Sequence, residues 1–186
     1  MFVAVVPPEG AVEDLDGFLE VRRGAADFRW TSADQWHLTL AFMADLAERK
    51  LDDLVARLGR AAARRHPMAC RFAGGGAFPN AARAKVLWAG VETDDPVELS
   101  RLATGCRAAA SKAGAPVDGQ RFRGHLTLAR IGHPVEATRW VRLLDGYRGP
   151  EWTIDRIALV ESHLGEGPRR RPRHEVLETF DLGATG

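Results

Sequence analysis

The five residues His-Leu-Thr-Leu-Ala occur twice in this chain, at His37–Ala41 and at His125–Ala129. The second histidine lies 88 positions after the first. A period this long, in two copies, predicts two similar lobes facing each other about an approximate twofold axis. It does not suit a solenoid, which stacks shorter units in larger number. Each copy reads as a strand by length and alternation. Its surroundings repeat as well, because each half runs helix, repeat strand, helix, strand, strand.

In the first half, MFVAVV is a strand broken by Pro7-Pro8, followed by a helix over 9–22 and a short extended piece at Phe28–Trp30. A second amphipathic helix covers about 45–64, and Met68–Phe72 and Lys85–Val91 are strands joined by a turn at Gly74-Gly75-Gly76. In the second half, Asp95-Pro96 with Glu98 opens a helix that Gly114 ends. Pro134 opens a short helix with Ala137, Trp140, Val141 and Leu144 inward, and Trp152–Val160 and His174–Phe180 are the last strands. The expectation is an α+β fold spanning 1–186 as one domain of two lobes. Two antiparallel-rich sheets form a central groove, with helices on the outside.

Alternate side chains of a strand share a face. His37, Thr39 and Ala41 therefore point one way and Leu38, Leu40 and Phe42 the other; His125, Thr127 and Ala129 oppose Leu126 and Leu128 in the same manner. The leucines serve the cores. If the lobes face each other, two imidazoles and two hydroxyls meet in the groove. One neutral histidine can take a proton from a nucleophile while a protonated one gives a proton to a leaving group, since imidazole titrates near neutrality. Hydroxyls can donate to phosphoryl oxygens. That set suits phosphodiester hydrolysis without a metal or a nucleophilic side chain. A single copy would more simply be a solvated strand end. A site in which His37 and His125 bind metal lacks the usual ligand spacing and a neighbouring carboxylate.

Composition narrows the alternatives. With 26 basic and 25 acidic residues, overall charge does not mark a nucleic-acid binder, so any phosphate must be held locally. The two cysteines, Cys70 and Cys106, have apolar neighbours and read as buried small hydrophobes. No secretory leader or membrane-length apolar run is visible, which predicts a cytoplasmic monomer without membrane partners. The five tryptophans read as core, with Trp36 and Trp88 near the groove.

The residues resemble the 2H phosphoesterases, named for paired H-x-T-x motifs. The likeness is strongest to their RNA 2′,3′-cyclic phosphodiesterase branch, also called the 2′-5′ RNA ligase family. It rests on Phe2–Val6, Arg29-Trp30, His37–Phe42, Val86–Gly90, Phe122 with His125–Arg130, and Leu159 with Ser162. The resemblance implies hydrolysis of RNA 2′,3′-cyclic phosphate ends to 2′-phosphomonoesters without a cofactor. It makes His37 the acid, His125 the base, and Thr39 and Thr127 phosphate holders. Arg130 becomes a phosphate clamp and Phe42 a base-stacking platform. Both lie five residues after their histidine, and strict alternation would turn them away from the groove unless a bulge intervenes. The alternatives are a phosphodiesterase for small cyclic nucleotides or 2′,5′-linked oligonucleotides, and a non-catalytic RNA-binding module. The chain departs from the family at Met43-Ala44, at Gly124, and at His174, where an aromatic residue commonly begins the last strand. Arg169–Arg173 is either a solvated hairpin tip or an RNA backbone contact.

Overall fold

A computed structural model describes residues 1–117, 121–163, 165 and 172–183. Its strands are β1 (Phe2–Val5), β2 (Arg29–Trp30), β3 (Leu38–Phe42), β4 (Met68–Phe78), β5 (Ala84–Thr93), β6 (His125–Val135), β7 (Trp152–Ile154), β8 (Arg156–His163) and β9 (Arg173–Asp181). The helices are α1 (Glu9–Arg23), α2 (Leu51–Ala62), α3 (Pro96–Lys112) and α4 (Thr138–Asp145). The α+β expectation holds. The strands join antiparallel in the order β7-β4-β5-β6-β3-β1-β8-β9, with β2 paired to β6. In place of two separate sheets the strands form one nine-stranded sheet, whose halves meet at a seam between β3 and β6, the two repeat strands.

The halves of this sheet are not the halves of the chain. Beyond the seam on one side lie β1, β8 and β9, and on the other β5, β4 and β7. The helices interleave too. Leu54 and Leu58 of α2 and Leu99, Leu102 and Cys106 of α3 share one core with Val3, Leu38, Leu40 and Leu159. Leu15 and Leu19 of α1 and Leu144 of α4 share another with Leu87, Leu126 and Leu128. Each fully buried leucine is worth about 1.5–3 kcal/mol of burial. Both cysteines are free and buried, and burial pushes both thiols up to about 12.

Three local expectations change. The glycine triplet is not the turn: β4 runs through it, and the reversal falls at 79–83, where Asn80 Oδ1 accepts from the Arg83 N–H at 3.1 Å. Gly75 and Gly76 are needed for close approach. A Cβ on Gly75 would sit 2.6 Å from the Trp88 carbonyl oxygen, and one on Gly76 2.3 Å from the Trp88 ring. Pro134 lies within β6 and not at a helix start, because β5 and β6 skip register between Val86↔Arg130 and Ala84↔Val135 and the ladder asks no N–H of it. Trp152–Val160 is divided at Asp155. β7 pairs with β4, whereas β8 crosses to β1. The helix start at Asp95 is as expected, with its carboxylate accepting from the Glu98 N–H at 2.8 Å.

Candidate active site

At the seam, Leu38 of β3 pairs with Leu126 of β6. These are the same position of the two repeats, the residue after each histidine. An antiparallel pair that matches a residue with its own counterpart places a local twofold axis between them. His37 and His125 therefore enter the sheet symmetrically.

The repeats also share an irregularity. On β3, Val3↔Ala41 is followed by Ala4↔Thr39, so Leu40 has no partner on β1. On β6, Leu87↔Ala129 is followed by Trp88↔Thr127, so Leu128 has none on β5. These matched bulges put two consecutive residues inward, Leu40-Ala41 and Leu128-Ala129, all buried. The alternation then restarts in the opposite phase. Phe42 and Arg130 emerge on the histidine side, both exposed, and both line the same cleft as His37, His125, Thr39 and Thr127. Core packing is therefore not the role of Phe42, which is 54% exposed.

Each imidazole is anchored identically. His37 Nδ1 lies 2.8 Å from the Gln35 carbonyl oxygen, and His125 Nδ1 lies 2.8 Å from that of Arg123. A carbonyl only accepts, so Nδ1 carries hydrogen in both rings and Nε2 is the site of proton exchange. Packing fixes the planes. Phe2 stacks on His37 at 4.4 Å and 23°, while Phe78 meets His125 edge-on at 5.0 Å and 87°, with Trp88 at 6.1 Å. Burial is the main force on both rings and favours their neutral forms. It pushes His37 down to about 4, with smaller contributions from His174, His125 and Arg130. His125 is lowered by burial first, then by Arg123 and Arg130.

The cleft has a volume of about 760 Å³. It contains residues not singled out from the sequence as site residues. Arg29 of β2 stands opposite Arg130 of β6 in the ladder, and both line the cleft. Like charges directly opposite disfavour each other unless an anion sits between them. Phe2 backs His37. His174 makes edge contacts with His37 at 5.3 Å and with Phe2 at 5.1 Å, so its departure from the family pattern falls inside the site. Gln35 does double duty: its carbonyl holds His37, and its side-chain amide donates to the Pro172 carbonyl at 2.5 Å. Trp30 lines the cleft and packs from there against the core and the rings of Phe28 and Trp140, whereas Trp36 is buried. Of the basic run, Arg169–Arg171 lie outside the described residues. Among the described residues no cluster of His, Cys, Asp and Glu forms a metal-ligand set, and no helix is long and apolar enough to cross a membrane.

Known proteins resemble this chain in sequence and in fold. The family model described as LigT like Phosphoesterase matches residues 5–88 and 91–169. An RNA 2′,3′-cyclic phosphodiesterase from Thermus thermophilus is 33% identical over 191 aligned residues, covering 98% of this chain and 89% of the relative. One of the same name from Aquifex aeolicus is 30% identical over 159 residues, covering 83% and 82%. Among solved structures, a Thermus thermophilus protein superposes with a TM-score of 0.80 at 31% identity, covering 100% of this chain and 98% of its own. LigT of Escherichia coli complexed with 3′-AMP matches in fold, with a TM-score of 0.78 at 23% identity and coverage of 97% and 96%.

Proposed function

This chain belongs to the LigT-like phosphoesterases of the 2H superfamily, and from that premise we propose that it hydrolyses RNA 2′,3′-cyclic phosphate ends to 2′-phosphomonoesters with His37 and His125 as acid and base. The relatives named RNA 2′,3′-cyclic phosphodiesterase support the reaction. The observation that carries the mechanism is the pair of symmetrically anchored rings, each with Nε2 left for proton exchange, in one cleft with two facing arginines.

In this reading the cyclic phosphate sits between the imidazoles. Thr39 and Thr127 donate to its free oxygens, and Arg29 and Arg130 neutralise it. His125 takes a proton from water as the water oxygen bonds to phosphorus. The P–O3′ bond breaks, and His37 delivers its Nε2 proton to O3′. The near-twofold geometry would serve equally well with the roles exchanged, so this assignment follows the family resemblance. Phe42 at the rim offers a face to the terminal base. No step needs a metal.

The direct test is incubation with EDTA and an RNA ending in a 2′,3′-cyclic phosphate. A 2′-phosphate product is expected. A 3′-phosphate product, turnover confined to mononucleotides, or binding without product would each overturn the reading.

The proton inventory predicts a pH signature. In the free protein both histidines are held below 6.5, His37 at about 4. The competent form carries one proton shared between them, so kcat/KM is expected to peak below pH 6.5, whichever ring is the acid. A bound phosphate anion favours both imidazolium forms, so the limbs of kcat move alkaline of those of kcat/KM. A kcat/KM optimum above pH 7 would contradict this arrangement. Stability follows the same linkage. Both groups are depressed on folding, so the unfolded chain binds more protons below 6.5, and stability falls from there towards about 4.

A further inference from the structure

A second concavity lies away from the cleft, between α2 and α3. Leu38 and Leu40 pack from β3 onto Leu54, Leu58, Leu99 and Leu102 of these helices, whereas His37 and Thr39 face the cleft, so groove and cleft occupy opposite sides of the sheet. The helices run antiparallel. Arg65 Nη1 meets the Glu98 carboxylate at 3.2 Å at one end, and Gly105, midway along α3, lies beside Ala61 in the last turn of α2. The groove between them measures about 930 Å³.

Its lining is one-sided in charge. Among the described residues Arg57, Arg60, Arg64, Arg65, Arg101 and Lys112 line it, and no carboxylate does. Six cations here contrast with a chain that balances 26 basic against 25 acidic residues. Two carboxylates at the edge offset part of this. Asp53 binds Arg57 at 2.9 Å and also feels Arg60, while Glu98 is shared between Arg65 at 3.2 Å and Arg101 at 4.0 Å. Six cations against two carboxylates leave an excess of four. Arg60, Arg64, Arg101 and Lys112 are exposed. Arg57, Arg60 and Arg64 recur on one face of α2 and just beyond its end, roughly one turn or 5.4 Å apart. The floor is small side chains, Ala61, Gly105 and Ala108, which lets a backbone approach closely. A concave track of regularly spaced cations fits a flexible polyanion.

We propose that this groove holds the sugar–phosphate backbone of the RNA whose cyclic end occupies the cleft, several nucleotides from that end. The inference rests on the RNA reading above. The strand must pass around a helix layer and a sheet layer, whose combined thickness of roughly 20 Å sets a minimum path. At about 3.4 Å per phosphate that takes at least about six nucleotides. Shorter substrates use the cleft alone.

The test is the triple variant Arg60→Glu, Arg64→Glu, Lys112→Glu, with the corresponding glutamine triple as a milder version. Binding of a single-stranded RNA of about 20 nucleotides with a 3′-phosphate is measured against salt, and turnover is measured on a dinucleotide ending in a cyclic phosphate. The glutamate triple is expected to bind the long RNA at least about tenfold more weakly at low salt. Its slope of log K against log salt is expected to be shallower by about 2, from three lost contacts at about 0.7 each. The glutamine triple falls between, and dinucleotide turnover stays within about twofold. An unchanged slope and affinity in both variants overturns the proposal. So does wild-type protein that binds polyglutamate as tightly as RNA, which would make the groove a surface for acidic proteins. Long-RNA binding that is lost in the variants, in a protein that hydrolyses no cyclic end, upholds the groove and removes the hydrolase reading.

Discussion

Alanine at either His37 or His125 is expected to lower turnover of an RNA cyclic phosphate end by roughly 10²- to 10⁴-fold, the usual contribution of a positioned general acid or base. The two losses should not add in the double variant, because one proton must leave water and another must reach O3′ in a single displacement. The structure explains why neighbours should not rescue the loss. Gln35 and Arg123 present backbone carbonyls to the two rings, and neither carbonyl can relay a proton. His174, although in edge contact with His37, stands on β9, outside the twofold relation of the repeats. Folding should survive both changes, since Phe2 is otherwise held by its ladder partners Phe42 and Val160. Single-turnover rates on a cyclic-ended oligonucleotide, alongside thermal melts, separate the two quantities. A variant with near wild-type rate would remove that histidine from the mechanism.

What the sequence disclosed follows from where the information lies. The repeat carries its own pairing rule, so the pairing of its two strands is legible in ten residues. The α+β class and the capped start of α3 at Asp95 were local and readable for the same reason. Strict alternation misplaces Phe42 and Arg130, because the bulges at Leu40 and Leu128 depend on the register of β1 and β5, which no local pattern states. Gly74–Gly76 resembles a turn by composition. Its actual demand comes from the Trp88 ring and carbonyl on the next strand. Arg29, Phe2 and His174 reach the cleft from β2, β1 and β9, brought there by pairings across the chain. The interleaving of α1 with the β5–β6 core and of α3 with the β1–β3 core is likewise invisible to a half-by-half reading. Arg29 does carry a local signal, because Arg29-Trp30 is among the residues that bear the family likeness and Arg29 is the ladder partner of Arg130.

Leu126→Ala should be the most damaging change outside the cleft, and a control on a neighbouring helix shows why. Leu126 is fully buried, pairs with Leu38 across the seam and with Ala89 of β5, and directly follows His125. Truncating it removes three heavy atoms from a core shared with Leu87, Leu128 and Leu144, at an expected cost of about 2–5 kcal/mol. That loss should appear as a lower urea midpoint with an unchanged m-value. Leu15→Ala supplies the control. Leu15 is also fully buried in that core but stands on α1 and takes no part in the pairing of the two repeat strands, and its loss should cost a similar amount. The two variants should part in catalysis. The pairing of Leu38 with Leu126 fixes how the repeats face each other, and a displacement of about 1 Å at reacting groups can cost about 10²-fold. Measured where both are folded, Leu126→Ala should therefore lose at least about tenfold in kcat while Leu15→Ala stays near wild type. Equal kcat in two variants of equal stability loss would mean that the seam holds the sheet together without setting the distance between the imidazoles.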